Sequence, residues 1–267
     1  MGRIGERFRA LRARGEKALV PFLTAGDPDL ATSEALVLSL VAAGADLVEI
    51  GVPFSDPIGE GPTIQRASER ALRGGVTLRR ILDLVERLRP RVDVPLVLMG
   101  YANNLMAMGE AAFAARAAAV GVDGLIVVDL PPEEGEPLFA LLRDRGIDPI
   151  LLAAPTTRPA RLEMLAKETR GFLYFVSLTG VTGARRALSA TLEREVQAVR
   201  AVSDVPVCVG FGVSTPEHAR EVARFADGVA VGSALIDRIE KAASPDEAID
   251  AASRFVAELK APLRGPA

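Results

Sequence analysis

This chain offers little material for metal or imine chemistry. It has a single histidine, His218, so a histidine-rich metal centre is excluded. Its four lysines, Lys17, Lys167, Lys241 and Lys260, all avoid the C-terminal ends of apolar runs, which argues against a Schiff base. The one cysteine, Cys208, sits inside an apolar run and reads as core, and no disulfide framework can form. No apolar run approaches the roughly 20 residues needed to span a bilayer. The first residues lack the apolar core of a signal peptide, and Glu6 stands where a myristoylation pattern needs Ser or Thr. A cytoplasmic setting is the expectation. The net charge of -3 gives no support to binding of nucleic acid or anionic membrane.

Hydrophobic residues make up 49% and charged residues 25%, enough apolar material for a well-filled core. Apolar strand-like runs lie near 18–24, 46–50, 95–100, 124–128, 149–152, 172–176, 206–210 and 228–231. Amphipathic helix-like segments separate them, near 29–43, 62–88, 110–120, 133–145, 158–168, 190–202, 215–225 and 245–260. Strands alternating with helices predict parallel βαβ units. Eight such units in about 250 residues fit a closed (β/α)8 TIM barrel, an α/β fold. A doubly wound sheet is the alternative, but the Gly-x-Gly-x-x-Gly fingerprint is absent after the first run. No linker or composition shift divides the chain, so residues 1–267 read as one domain. An extra helix at 4–14 precedes the first strand and is expected to close the barrel bottom. Its arginines read as a solvated face rather than a basic patch.

Glu49 stands out because it is next to last in the apolar run that ends at Ile50. Burying a carboxylate is costly unless it is paired. A loop dense in Gly, Pro and acid follows at once, carrying Asp56 and Glu60 before a helix start at Pro62. An acid at a strand end followed by an acidic loop is a plausible proton-transfer site.

Barrel chemistry sits at the C-terminal strand ends. The ends read Pro21–Pro28, Glu49, Met99–Asn103, Val127–Pro131, Tyr174–Ser177 with Gly180–Gly183, Val209–Gly212 and Val231–Ala234. Gly183, Gly212 and Gly232 would let backbone approach a ligand closely, and Gly232-Ser233 opens a helix whose free N–H groups favour an anion. These ends predict a phosphate seat built from amides.

The segments Pro21-Phe-Leu-Thr-Ala-Gly-Asp-Pro28, Glu49-Ile-Gly-Val-Pro-Phe-Ser-Asp-Pro57, Gly61-Pro-Thr-Ile-Gln65, Asp129-Leu-Pro-Pro132, Ser177–Gly183, Gly210–Ser214 and Val231–Ala234 follow one another along the chain. Taken together, they resemble the tryptophan synthase alpha family. The resemblance implies a barrel that cleaves indole-3-glycerol phosphate to indole and glyceraldehyde 3-phosphate. It implies no cofactor in this chain and a tryptophan synthase beta subunit partner that carries pyridoxal phosphate, in an alpha-beta-beta-alpha heterotetramer. It assigns Glu49 as the acid–base group and Glu60 as the carboxylate facing the indole nitrogen, where the family has Asp. Phe22, Met99, Tyr101, Ile126, Asp129 and Tyr174 would line the indole and glycerol pocket. Thr182 would close the loop after the sixth strand, and Gly183, Phe211, Gly212, Gly232 and Ser233 would seat the phosphate. Leu178 and Asn104 also depart from common family residues. A non-catalytic module that binds the phosphate ligand and regulates the beta subunit is the competing reading.

Overall fold

The computed structural model describes residues 2–177, 185–210 and 212–265. Its strands are β1 (Ala18–Thr24), β2 (Val48–Gly51), β3 (Leu96–Gly100), β4 (Gly124–Val127), β5 (Asp148–Pro149), β6 (Leu152–Ala153), β7 (Leu173–Val176), β8 (Val207–Gly210) and β9 (Gly228–Val231). Every pairing is parallel, in the order β5-β4-β3-β2-β1-β9-β8-β7-β6. Both edges of that order belong to one segment, 148–153, so the sheet curls round and meets itself. Ile150 N–H donates to Leu125 O and Tyr174 N–H to Leu151 O, which carries the bonding across the seam. The α/β barrel expected from the alternation is therefore present.

The helices are α1 (Arg3–Ala13), α2 (Leu30–Ala42), α3 (Pro62–Arg73), α4 (Leu78–Leu88), α5 (Ala102–Met106), α6 (Glu110–Val120), α7 (Pro132–Arg143), α8 (Pro159–Glu168), α9 (Arg185–Val202), α10 (Pro216–Ala223), α11 (Ser233–Lys241) and α12 (Pro245–Lys260). None is long and apolar enough to cross a membrane, among the described residues. Three readings need correction. The segment 62–88 is two helices, parted at Gly74-Gly75, where Gly75 has φ 69° and Thr77 caps α4 by accepting from Arg80 N–H. The fifth strand is two short pieces, because Pro149 has no N–H to give the ladder. The short helix α5, with no long apolar stripe, went unpredicted.

The core has two compartments. The larger lies between strands and outer helices. The smaller fills the barrel interior, where Ile4, Phe8 and Leu11 of α1 pack with Val20, Leu47, Ile126, Phe172, Cys208 and Ala230. The first helix thus plugs the floor, as its position before β1 suggested. Buried charge at that end is tightly paired. Asp46 accepts from Lys260 Nζ at 2.9 Å and from Leu19 N–H at 2.8 Å. Asp123 accepts from Arg89 at 2.9 Å, from Leu96 N–H at 2.8 Å and from Arg3.

Candidate active site

Parallel strands bring their C-terminal ends to one rim, and the ladder sets which side chains meet there. Phe22 of β1 is the register partner of Glu49 on β2, and Gly51 that of Met99 on β3. The Glu49 side chain is fully buried, and neither carboxylate oxygen has a hydrogen-bond partner among the described residues. Burial pushes this carboxyl up to about 8, with the charge of Glu60 adding to the effect. At neutral pH it is therefore mostly protonated, an acid with a proton to give. Tyr174 on β7 is its neighbour. Burial first, then Glu49, raises the phenol well above its ordinary range and keeps it neutral. Gly210 on β8 makes room for that ring, since a Cβ there would lie 2.1 Å from Tyr174 Oη. The Cys208 thiol is also pushed up, by burial and then by Glu49, so it stays an unreactive core group.

Glu60 arrives from the loop between β2 and α3. It is half-buried, and burial raises its carboxyl above the ordinary value. The loop around it is fixed from both sides. Glu60 N–H donates to Pro57 O at 2.9 Å, and its carbonyl accepts from Gln65 Nε2 at 2.9 Å. Tyr101 holds the loop from above β3. Its Oη accepts from Gly59 N–H at 3.1 Å, and its ring stacks on Phe54 with centroids 4.9 Å apart. Only a glycine lets the loop descend this far, because a Cβ at Gly59 would lie 2.8 Å from Val128 Cγ1. Burial raises the Tyr101 hydroxyl to about 12, so it remains a neutral partner.

Phe22, Thr24, Phe54, Glu60, Met99 and Tyr101 surround a cleft with about 10 Å³ of open space. Small-molecule sites run to roughly 300 Å³ and above. The cleft as it stands is smaller than such sites.

The remaining sequence-selected residues sit at different depths. Ile126 is fully buried in the interior compartment, with Met99 packed against it. Asp129 is exposed at the rim, where its Oδ1 accepts from Ala102 N–H at 2.8 Å and steadies the start of α5. Gly212 has φ 67°, a left-handed conformation suited to glycine. Gly232 is the N-cap of α11, with exposed Ser233 as its first residue. A Cβ at Gly232 would meet Phe22 and Ile64 no closer than 3.5 Å, so crowding by protein atoms does not demand glycine there. Thr182, Gly183 and Phe211, with Leu178, lie outside the described residues. His218 is half-buried on α10 with Nδ1 3.3 Å from Ser214 Oγ.

Two features escaped the sequence reading. Thr24 ends β1 with a buried Oγ1 that has no partner among the described residues, and it lines the cleft. A lone hydroxyl closing an otherwise apolar strand was the available signal. The second is a bracing network. Arg70 on α3 grips buried Asp27 through two bonds of 2.7 and 2.8 Å and reaches Glu240 on α11 at 2.6 Å, while Arg66 holds Glu240 as well. This ties the helix after Glu60 to the helix that Ser233 opens. Among the described residues, no group of three or more His, Cys, Asp or Glu could hold a metal ion.

Comparison with known proteins matches residues 8–264 to the family model described as tryptophan synthase alpha chain. The tryptophan synthase alpha chain of Geobacter sp. (strain M21) is 55% identical over 97% of this chain and 97% of its own. A solved tryptophan synthase subunit alpha from Legionella pneumophila superposes with TM-score 0.92 at 38% identity, covering 98% of both chains. A chain of the M. tuberculosis tryptophan synthase structure in its aminoacrylate- and BRD0059-bound form gives 0.89 at 38% identity, over 98% of each.

Proposed function

The chain belongs to the tryptophan synthase alpha chain family, and from that membership we propose how its own residues carry the family reaction. That reaction is a carbon–carbon lyase step, the cleavage of indole-3-glycerol phosphate to indole and glyceraldehyde 3-phosphate, performed by the subunit that itself uses no cofactor.

The cleavage is a retro-aldol. A proton must reach the indole ring carbon that bears the glycerol chain, and one must leave the adjacent glycerol hydroxyl. Glu49 does both in turn. Protonated in its buried setting, it gives its proton to the ring carbon and becomes a carboxylate. That carboxylate then takes the hydroxyl proton as the carbon–carbon bond breaks. Electrons of the bond return to the ring, the aldehyde departs, and Glu49 is protonated again. Between these events the indole nitrogen carries positive charge. Ionised Glu60 faces it and stabilises a charge absent from the ground state, which makes the interaction catalytic. Glu60 is one methylene longer than the family Asp, and the loop holding it takes up the difference.

Phe22, Met99, Tyr101 and Tyr174 form the walls of the indole and glycerol pocket, Ile126 supports it from below, and Asp129 stands at its edge. The phosphate rests on amides of Gly212, Gly232 and Ser233 at the start of α11, with Thr182, Gly183 and Phe211 completing the enclosure. The entire chain, 1–267, works as one barrel domain in the cytoplasm. Its partner is the tryptophan synthase beta subunit, in an alpha-beta-beta-alpha heterotetramer, and pyridoxal phosphate belongs to that partner. Exposed Ile58, on the loop after β2, and exposed Met106, at the end of α5, lie on the catalytic rim and suit an apolar docking face. Docking there orders the loop that bears Glu60.

The observation that carries this mechanism is the fully buried carboxyl of Glu49, which has no hydrogen-bond partner among the described residues. It also favours the lyase over a merely regulatory module, since a ligand-binding module has no use for such a group. Measuring indole release from indole-3-glycerol phosphate by Glu49→Gln is the test. Release should vanish while glycerol 3-phosphate still binds, and near-normal turnover would overturn the assignment.

A further inference from the structure

At the end of the barrel opposite the catalytic rim lies a cavity of about 230 Å³, far roomier than the cleft beside Glu60. Phe8 and Leu11 of α1 give it an apolar wall, and Arg12, Lys17, Arg200 and Asp227 give it charge. The charges do not match. Asp227 Oδ2 is engaged by Val207 N–H at 3.1 Å, and Oδ1 lies 3.4 Å from Arg200 and 3.9 Å from Arg12. Those spacings are looser than the 2.7 Å grip of Arg70 on Asp27. Lys17 Nζ has only the Ala226 carbonyl, at 2.8 Å, as an acceptor among the described residues. Glu16 also lines the cavity, but it is drawn away by Arg14 at 2.7 Å and Lys260 at 3.2 Å. Lys260 in turn is held by Asp46. The lining itself holds three cations, Arg12, Lys17 and Arg200, against two carboxylates, Glu16 and Asp227, in a chain whose net charge is -3.

Barrel floors usually serve stability, and the other charges of this floor are closely paired. Three cations converge beside open space, with Arg12 exposed, Arg200 partly exposed and Lys17 half-buried, an arrangement able to receive an anion. We propose that this floor cavity is a second ligand site, which takes a small organic oxyanion: an apolar body against Phe8 and Leu11, with one carboxylate or phosphate head between Arg12, Lys17 and Arg200. The volume lies below the roughly 300 Å³ at which drug-sized sites begin, so the ligand is compact. Burial lowers the Lys17 ammonium below its ordinary value, Asp227 opposes this, and Arg200 and Arg12 add to it. A bound anion would relieve that mutual repulsion.

Calorimetry on the full chain tests the proposal, with glycerol 3-phosphate at saturation to occupy the catalytic rim. Benzoate and phenyl phosphate are titrated separately, so that the tighter of the two names the head group. At least one should bind one-to-one. The double variant Arg12→Gln/Arg200→Gln should weaken it tenfold or more while indole release stays at the parental rate. Lys17→Met should weaken it several-fold independently. Benzyl alcohol, which keeps the ring and lacks the charge, should not bind. Failure of both anions to bind the parent protein, equal affinity in the double variant, or binding of benzyl alcohol as tight as that of benzoate would each overturn the site.

Discussion

The two ends of this barrel treat a buried carboxylate in opposite ways. At the floor, Asp46 is 5% exposed and is met by an ammonium and a backbone N–H, and Asp123 by two guanidinium groups. At the rim, Glu49 is fully buried and its carboxyl has no hydrogen-bond partner among the described residues. The first arrangement holds the charge of the group in place. The second suppresses the charge and leaves a proton available. Position along a strand therefore decides whether a buried acid supports the fold or serves the reaction.

The sharpest way to break this contrast is to neutralise one acid at each end. Glu49→Gln should lower indole release by about three orders of magnitude or more, the upper part of what general acid–base groups supply. Its stability should change in the other direction. A carboxyl raised to about 8 in the folded chain holds its proton more tightly there than when unfolded. Its contribution is full below the ordinary value near 4.5 and is lost as pH rises toward 8. Glu49→Gln should thus flatten the decline in unfolding free energy between those two pH values, as urea titrations at several pH values would show. The same group predicts that kcat/KM falls as pH rises through about 8, where the free protein loses the proton it must donate.

Lys260→Met makes the floor resemble the rim, since it leaves Asp46 buried without its cation. Breaking a buried pair in this way should cost about 3–5 kcal/mol in urea unfolding, with kcat per folded molecule near the parental value. A stable, inactive Lys260→Met would erase the division between the two ends.

Glu60 tests the rim more finely. Glu60→Gln should reduce kcat by roughly a hundredfold, with binding of glycerol 3-phosphate little changed. Glu60→Asp should differ from the parent by a smaller factor of either sign, because the loop is set for the longer acid. If all three proteins cleave equally fast, Glu60 is a bystander. The smallest effect expected is that of Tyr101→Phe, which removes the acceptor for Gly59 N–H and keeps the stack on Phe54. Loss of one hydrogen bond of about 1 kcal/mol corresponds to roughly fivefold in loop closure. That should appear in kcat and leave the melting temperature unmoved.

Much of this was legible beforehand, for definite reasons. Parallel strands buried on both faces are nearly continuous apolar runs, and β1, buried at every residue, was found at its true limits. Glu49 was visible because a charge inside such a run is anomalous. The division of 62–88 was not seen because the apolar positions of α3 and α4 fall on one helical period, and only Gly74-Gly75 marks the break. Thr24 was missed for the opposite reason. A hydroxyl at a strand end looks ordinary until its oxygen proves buried and without a partner among the described residues. The pairing of Arg70 with Asp27 joins residues 43 positions apart, and no local pattern encodes it.

The plug made by α1 has a consequence for how the chain comes into being. Phe8 and Leu11 leave the ribosome well before two of their packing partners, Cys208 and Ala230. Lys260, the cation for Asp46, emerges later still. A nascent chain therefore carries the uncovered apolar side of α1, and an acid without its counter-ion, until those distant residues emerge. The floor can close only after Lys260 has emerged, and a chaperone that shields the first helix acts on a surface whose partners lie far along the chain.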